Sequence, residues 1–466
     1  MKNRLIMKTK YHLVLVLLCM VTVSCSFDEE IDPNGPSLGG VETNASLRQL
    51  NELVIGVQAT SRNGHGIETS ASGTLARELY LFDADPRNTG DLLGKNGIQL
   101  DNNSFYSTAQ FTGSYRCIKN ANVLLAALDN TQVIEETDKN GYRGFAKTYI
   151  AYELIQILKS YGTARIDVAD PDNLGPFLGF DAALVEIRSL LNEAQSDLSG
   201  FGSLDQFLFP VSGFGDLIDT SGEMGDDVRD DDTEITVEEF ILFNRALAAL
   251  AAVYAGDGSG ALTELSNSYF DIAGSLTTGP KFVFGLGAGD QPNGVFRSPS
   301  ASAAEPNNAD QIIVHDSWIN DAEAGDTRVA SKAAVRPSAS AQDGLNGTHE
   351  IRLYASNVAP IDLIRNEELI LLYAEASILA NNLGDAETAI NVIRNAASIG
   401  DKDYGTPTPT EAQLTAEMLE QRRYSLWCEN HRMFDLRRYD LSNTLPIDRA
   451  GDQVFNVFPI PLSENQ

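Results

Sequence analysis

The sequence predicts a mostly α-helical protein: a degenerate tetratricopeptide-like helical-repeat scaffold with long irregular insertions and a few short strands. Three observations carry this. Apolar residues recur at helical spacing, as in Leu47, Leu50, Leu53, Val54 and Val57. Such segments pair into hairpins across short polar turns, with Ala where helices would approach closely. Residues 62–112 and 256–360 break the pattern with Gly, Asn, Ser and Asp.

Residues 1–25 open with Lys2, Arg4, Lys8 and Lys10, continue through the apolar run 11–23 and end in small residues before Cys25. That is the layout of a secretory signal peptide. The run is shorter than the ~20 residues a helix needs to cross a hydrocarbon core. Thr22, Val23, Ser24 and Cys25 resemble a bacterial lipoprotein cleavage box, with Thr22 where Leu is usual. Cys25 is therefore the expected lipid anchor, and cleavage by an ordinary signal peptidase is the alternative. Residues 26–43 are polar and rich in Asp, Pro and Gly, as a flexible tether requires. Within them Asp28, Glu29 and Glu30 fit either an acidic export tag or a solvated linker.

With Cys19 in the leader and Cys25 assigned, Cys117 and Cys428 remain. Two distant thiols make no disulfide framework; separate burial in helices is expected, with a single bridge between them as the alternative in an oxidising compartment. The formal charge of -31 repels phosphate backbones and anionic headgroups, which excludes nucleic acid as a partner.

From Asn44 the chain opens with helix. Residues 115–128 and 142–161 read as two amphipathic helices joined by the polar loop 129–141. A second hairpin pairs 182–198 with 237–254, the later helix opened by a capping box of Thr236 and Glu239. A third joins 361–380 to 386–396 across a turn at 381–385. Each hairpin buries its apolar face on the next, which makes a scaffold rather than a catalytic centre. The irregular regions hold β-like runs at 282–284 and 312–314, and loops of such length within a compact protein are usually functional.

Short catalytic signatures are missing: there is no His-Glu-x-x-His, Gly-x-Ser-x-Gly, Cys-x-x-Cys or Walker loop. His65, His315, His349 and His431 are widely scattered, so no His-based metal site, cofactor or catalytic residue is expected. Gly285, Gly287 and Gly289 follow a strand-like run but open no evident helix and read as a loop. The run Asp226, Asp227, Asp230, Asp231, Asp232 and Glu234 lacks the spacing of a calcium loop and reads as solvated. A glycosidase needs only two placed carboxylates, so it stays the main enzymatic alternative.

Several blocks, in chain order, resemble the SusD/RagB family of outer-membrane nutrient-binding lipoproteins. They are 120–128 with the helix 146–162 ending in Tyr161-Gly162, then Asp326-Thr327-Arg328, then Arg365, Glu368, Tyr373, Ala374 and Glu375. The most specific is 422–438, RRYSLWCENHRMFDLRR, where Arg422, Leu426, Glu429, Arg432, Asp435, Leu436 and Arg438 match. It departs at Gln421 and Ser425, where the family tends to carry Glu, and at Asn430, where it tends to carry Gly. Asn tolerates a left-handed helix end, so the cap is expected to survive while a salt bridge is lost. The charged residues of this block, with Arg365 and Glu375, read as pairs tying the C-terminal helix to the scaffold. Phe458-Pro459-Ile460-Pro461 resembles the family's closing segment.

The resemblance implies a single SusD-like domain over 44–466, with an N-terminal part to about 270 and a C-terminal part from about 271. It implies a non-enzymatic protein, lipid-anchored in the cell outer membrane and facing the exterior. Such a protein captures an oligosaccharide or polysaccharide and passes it to a SusC-like TonB-dependent transporter. A RagB-like peptide ligand, a secreted lipoprotein glycosidase and a protein-binding adaptor are the alternatives. Sugars are held by aromatic platforms and planar polar side chains. Tyr80, Phe82, Asp83, Arg87, Asn88 and Tyr106, with Phe105 beside it, are the ligand-binding candidates in the first irregular region; Trp318 and Asn320 are those in the second. The alternating setting of Tyr80 and Phe82 equally suits core positions, and Trp427 reads as core.

Overall fold

The computed structural model describes residues 44–202, 206–215, 217, 235–300 and 310–465. The leader, Cys25, the tether and the acidic run 226–234 lie outside them. The first half is α1 Leu47–Ser61, α2 His65–Leu75, β1 Leu79–Asp83, α3 Phe105–Asn130, α4 Glu136–Tyr161, β2 Thr163–Arg165, β3 Phe177–Gly179, α5 Phe180–Ser199 and α6 Val237–Tyr254. There follow α7 Gly258–Ser266, β4 Lys281–Phe282, β5 Asp310–Val314, α8 Asp316–Asn320, α9 Thr327–Lys332, β6 Ala333–Gln342 and β7 Leu345–Ile351. The chain closes with β8 Ile361–Asp362, α10 Asn366–Leu379, α11 Leu383–Ala396, α12 Glu411–Ser425 and α13 Arg432–Arg438.

Helices stack in the order α3, α4, α5, α6, α7, then α10, which packs in turn on α11 and α12. Each hairpin read from the sequence is present. The capping box closes on α6, with the Glu239 amide donating to Thr236 Oγ1 at 3.2 Å and the Thr236 amide donating back to Glu239 at 2.7 Å. Boundaries differ in places, and helix enters the region 62–112 expected to be irregular, as α2 and as the first turns of α3, which begins at Phe105 and not at 115. Residues 129–141, expected as loop, are mostly helix, because α3 runs on to Asn130 and α4 begins at Glu136 with acidic residues in its first turn. Residues 361–362 form strand β8 on β4 instead of helix. Glycine permits a close crossing: a Cβ on Gly144 of α4 would sit 2.8 Å from the Ala194 carbonyl oxygen of α5.

The two irregular regions do not remain separate. β1 from the first pairs antiparallel with β5 from the second, giving a four-stranded sheet in the order β1-β5-β7-β6. One apolar core runs from Ala45 to Phe458 and so spans both halves, while α10, α11 and α12 share a smaller cluster. Cys117 and Cys428 are buried, free and apart.

The C-terminal block forms the expected ion pairs, and buries them. Arg422 Nε meets Asp435 Oδ2 at 2.7 Å, and Arg438 bridges Glu375 at 2.6 Å and Asp435 at 3.0 Å. Arg365 holds Glu429 at 2.5 Å. Burial works to raise the Asp435 carboxyl, yet the guanidiniums of Arg422 and Arg438 outweigh it and hold it below the usual range. Where the missing Glu residues would stand, neutral groups serve: Arg328 donates to Gln421 Oε1 at 2.8 Å and Ser425 Oγ at 3.0 Å, keeping Asp326 as its carboxylate at 2.7 Å. Asn430 takes the left-handed conformation at φ 58°.

Removing one partner of such a pair strands a buried charge. Asp435→Ala is therefore expected to lower unfolding free energy by about 3–5 kcal/mol in urea titration, and Arg422→Met combined with Asp435→Leu to recover most of that loss.

Candidate functional site

A cleft of about 410 Å³ opens where the two irregular regions meet. Its walls are the start of α2, the end of β1 with the loop after it, the first turn of α3, and the loop 284–297 opposite. Glycine brings these walls together. A Cβ on Gly66 would lie 2.8 Å from the Gly294 carbonyl carbon and oxygen, so the two backbones touch only because neither carries a side chain there. Gly64, at φ 81°, caps α2 against the α3 backbone at Ala109 and Gln110. Asn293 pins the far loop: its Nδ2 donates to the Ala359 carbonyl at 2.9 Å and its Oδ1 accepts from the Val295 amide at 2.9 Å.

The lining offers rings and fixed charges. Phe105 is half-buried on the wall, and the Arg87 guanidinium covers it 4.8 Å from the ring centre. Asn88 Nδ2 donates to both oxygens of Asp83 at 2.9 Å. Arg87 forks onto Asp85 at 2.6 and 2.9 Å. Hydrogen bonds from that guanidinium hold the Asp85 carboxyl below its ordinary range, so Asp85 presents a permanent charge. Across the opening Arg62 pairs with Asp290 at 2.8 Å and lies 5.8 Å over Phe284. Arg297 donates to the Gly294 carbonyl at 2.9 Å. The arrangement can stack an apolar face on Phe105 and meet hydroxyl or amide groups with carboxylate acceptors and guanidinium donors.

Of the candidates named from sequence, Asp83 and Asn88 line this cleft and Arg87 backs it. The others sit elsewhere. Tyr80 and Phe82 point to the opposite face of β1 and pack with Leu93, Ile313 and Leu345. Tyr106 is fully buried, its hydroxyl donating to Asp91 at 2.9 Å. Trp318 is fully buried between Trp427, 4.7 Å away, and Tyr424 at 5.3 Å. Asn320 is exposed at the end of α8, outside the cleft. Stacking on sugar is thus closed to these four rings by burial. Sequence reading missed Arg62, His65, Phe284 and Arg297; the glycines at 64, 66 and 294 were the signal available.

Behind the cleft lies a buried polar seam. His65 touches both, and burial, with Lys159 adding to it, pushes its pKa down to about 4, so the imidazole beside Glu68 is neutral and the 3.9 Å approach is not an ion pair. Burial raises Glu68 and Glu368 to about 7, against the pull of Lys159, and raises Glu153 to about 8. Glu68 accepts from Asn430 Nδ2 at 2.8 Å and Ser160 Oγ at 3.1 Å.

Residues 342–459 match the model of the SusD family. Solved structures resemble the whole described chain. A SusD superfamily protein from Bacteroides vulgatus is 16% identical, covers 91% of this chain and 97% of its own, and has a TM-score of 0.66. A SusD superfamily protein from Parabacteroides distasonis is 17% identical, with 90% and 97% covered and a TM-score of 0.61. Surface glycan-binding protein A from Bacteroides thetaiotaomicron, in complex with laminarihexaose, is 14% identical, with 90% and 97% covered and a TM-score of 0.62. No curated protein sequence matches the chain. Two findings thus support the SusD/RagB resemblance: residues 342–459 match the SusD family model, and the fold is similar to that of a solved SusD superfamily protein over 91% of the chain.

A carboxyl whose native pKa is raised keeps its proton through a window where the unfolded chain has lost it, and the stability this confers disappears as pH rises through the native value. For Glu153 that window runs from about 4.5 to about 8. Glu153→Gln is expected to gain in Tm relative to the parent as pH goes from 6 to 9, and a constant difference across a Tm-against-pH series would contradict the buried neutral acid.

Proposed function

From a SusD-like fold, we propose that this protein captures an oligosaccharide or polysaccharide at the bacterial surface and hands it, unbroken, to a SusC-like TonB-dependent transporter. The observation that carries the reading is the open cleft with one half-buried ring, Phe105, set among fixed hydrogen-bonding charges. The glycan-bound relative of the same fold supports the ligand class. Attachment to the outer membrane through Cys25, facing the exterior, belongs to the same proposal and rests on the leader and tether of the sequence.

The electrostatics of the cleft support binding without cleavage. Glycoside hydrolysis needs one carboxyl protonated and another ionised at the same pH. Asp85 is held ionised by Arg87, while the acids whose pKa burial raises, Glu68, Glu153 and Glu368, are absent from the cleft lining. Arg87 does not move freely onto a ligand either; its bond to Asp85 orients it over Phe105.

A chain begun at Ser26, titrated with polysaccharides and peptides while the same mixtures are assayed for cleavage, tests this directly. Saturable glycan binding with no product is expected, and Phe105→Ala should weaken it at least about tenfold, the scale of a lost stacking platform. Release of shorter glycans would overturn the reading, and saturation by peptides alone would replace the glycan with a peptide ligand.

A further inference from the structure

A second groove, of about 750 Å³, lies on the outer face of α3 and is walled by the loop after β2. It is separate from the cleft described above, sharing none of its lining residues. One wall carries Arg116 and Lys119, both exposed, and neither has a carboxylate partner among the described residues. That is unusual in this molecule. Its net charge is -31, and Arg48, Arg143, Lys147 and Arg188 on the outsides of other helices each meet an acid. The carboxylate in the groove, Glu464, already faces Arg165 at 3.7 Å. The rest of the lining mixes aliphatic Val123, Val168 and the 44% exposed Leu174 with the half-buried Tyr115, whose ring packs on Phe111 and whose hydroxyl donates to the Arg165 carbonyl at 3.1 Å. Two cations without carboxylate partners beside aliphatic surface suit an extended peptide that carries both acidic and apolar side chains.

We propose that the acidic stretch of this chain's own tether, Phe27 to Asp32 (FDEEID), is the segment that occupies this groove. The described chain begins at the groove's end. Asn44 Oδ1 accepts from the Gln132 amide at 3.1 Å, and the Ala45 carbonyl accepts from Thr131 Oγ1 at 2.6 Å, which fixes the entry point just past the last turn of α3. Ala126, on the groove, is one turn before Asn130. Counting back from Asn130 to Arg116 covers about 21 Å of helix at 1.5 Å per residue. Asp32 lies twelve positions before Asn44, a stretch that spans up to about 40 Å when extended. The segment therefore reaches with length to spare. Asp28, Glu29, Glu30 and Asp32 supply the charge that Arg116 and Lys119 lack, and Phe27 and Ile31 supply apolar surface for Val123, Val168 and Leu174. Because the segment is tethered, its effective concentration is on the order of millimolar, so weak contacts suffice to keep it seated. A seated tether would fix which side of the body faces the point of attachment.

The test uses the chain begun at Ser26, carrying Glu30→Cys and Ala126→Cys; the native thiols Cys117 and Cys428 are buried. Mild oxidation is expected to join positions 30 and 126 in most molecules, read by peptide mapping. Adding Arg116→Glu and Lys119→Glu, both at exposed positions, should cut the yield about fivefold, as should 1 M salt, where the screening length falls to roughly 3 Å. An unchanged Tm would show that the charge reversal leaves the fold intact. A yield indifferent to charge reversal and salt would overturn the proposal, because a tether merely colliding with the helix needs no cations. Protection of Arg116 and Lys119 by polygalacturonate, with no cross-link formed, would overturn it in favour of an acidic glycan. Neither result bears on Phe105 or the first cleft, so the two readings stand or fall apart.

Discussion

The structure turns on buried arginines that each meet a carboxylate at close range. Arg328, Arg365, Arg422 and Arg438 lie in or against the C-terminal block, all but out of contact with solvent, and each is held by at least one carboxylate at 2.5 to 2.7 Å. Taking a charge out of water costs several kcal/mol, which only close opposite charge and further hydrogen bonds offset, so these contacts tolerate little displacement. They fix the position of α12 and α13 against α10 and α9 more exactly than apolar packing alone would, because a guanidinium fork has one geometry and a methyl surface has many.

From that frame the cleft inherits its walls. The Trp427 indole, in the same block, donates to the Glu78 carbonyl at 3.2 Å, one residue before β1, and Asn430 reaches Glu68 on α2. Arg77, buried beside β1, pairs with Asp448 at 3.2 Å and donates to the Gln453 carbonyl at 2.8 Å. The segments that line the opening are thus held from behind by the C-terminal motif. Trp427 and Asn430, which do not line the cleft, thus help set where α2 and the start of β1 stand.

The division between the protonated acids behind the cleft and the ionised ones within it also follows from burial. Burial raises Glu68 and Glu368 to about 7 and Glu153 to about 8, so each keeps its proton to a higher pH than a surface carboxyl would. Asp85, at the surface beside its arginine, stays charged. The cleft lining thus carries a carboxylate held ionised, while the acids with raised pKa lie behind it.

Much of the architecture was legible from the chain alone. Helical periodicity placed the three hairpins, the Thr236–Glu239 box marked the start of α6, and the order of short blocks ending in 422–438 pointed to SusD. Even the departures were readable: Asn430 holds the left-handed turn, and Gln421 and Ser425 keep Arg328 satisfied without carboxylates. These features are local, set by spacing of 3.6 residues or by one residue's allowed dihedrals. What only the tertiary structure decided is which face of β1 looks outward and what stands across from it. Tyr80 and Phe82 alternate with Leu81 and Asp83, and the sequence gives no means of telling which set meets the core. The choice is made by pairing with β5, whose first residue lies more than two hundred positions away. Arg62, His65 and Arg297 join the site for the same reason: long-range contact, licensed by glycines at 66 and 294, brings together residues that no local pattern connects.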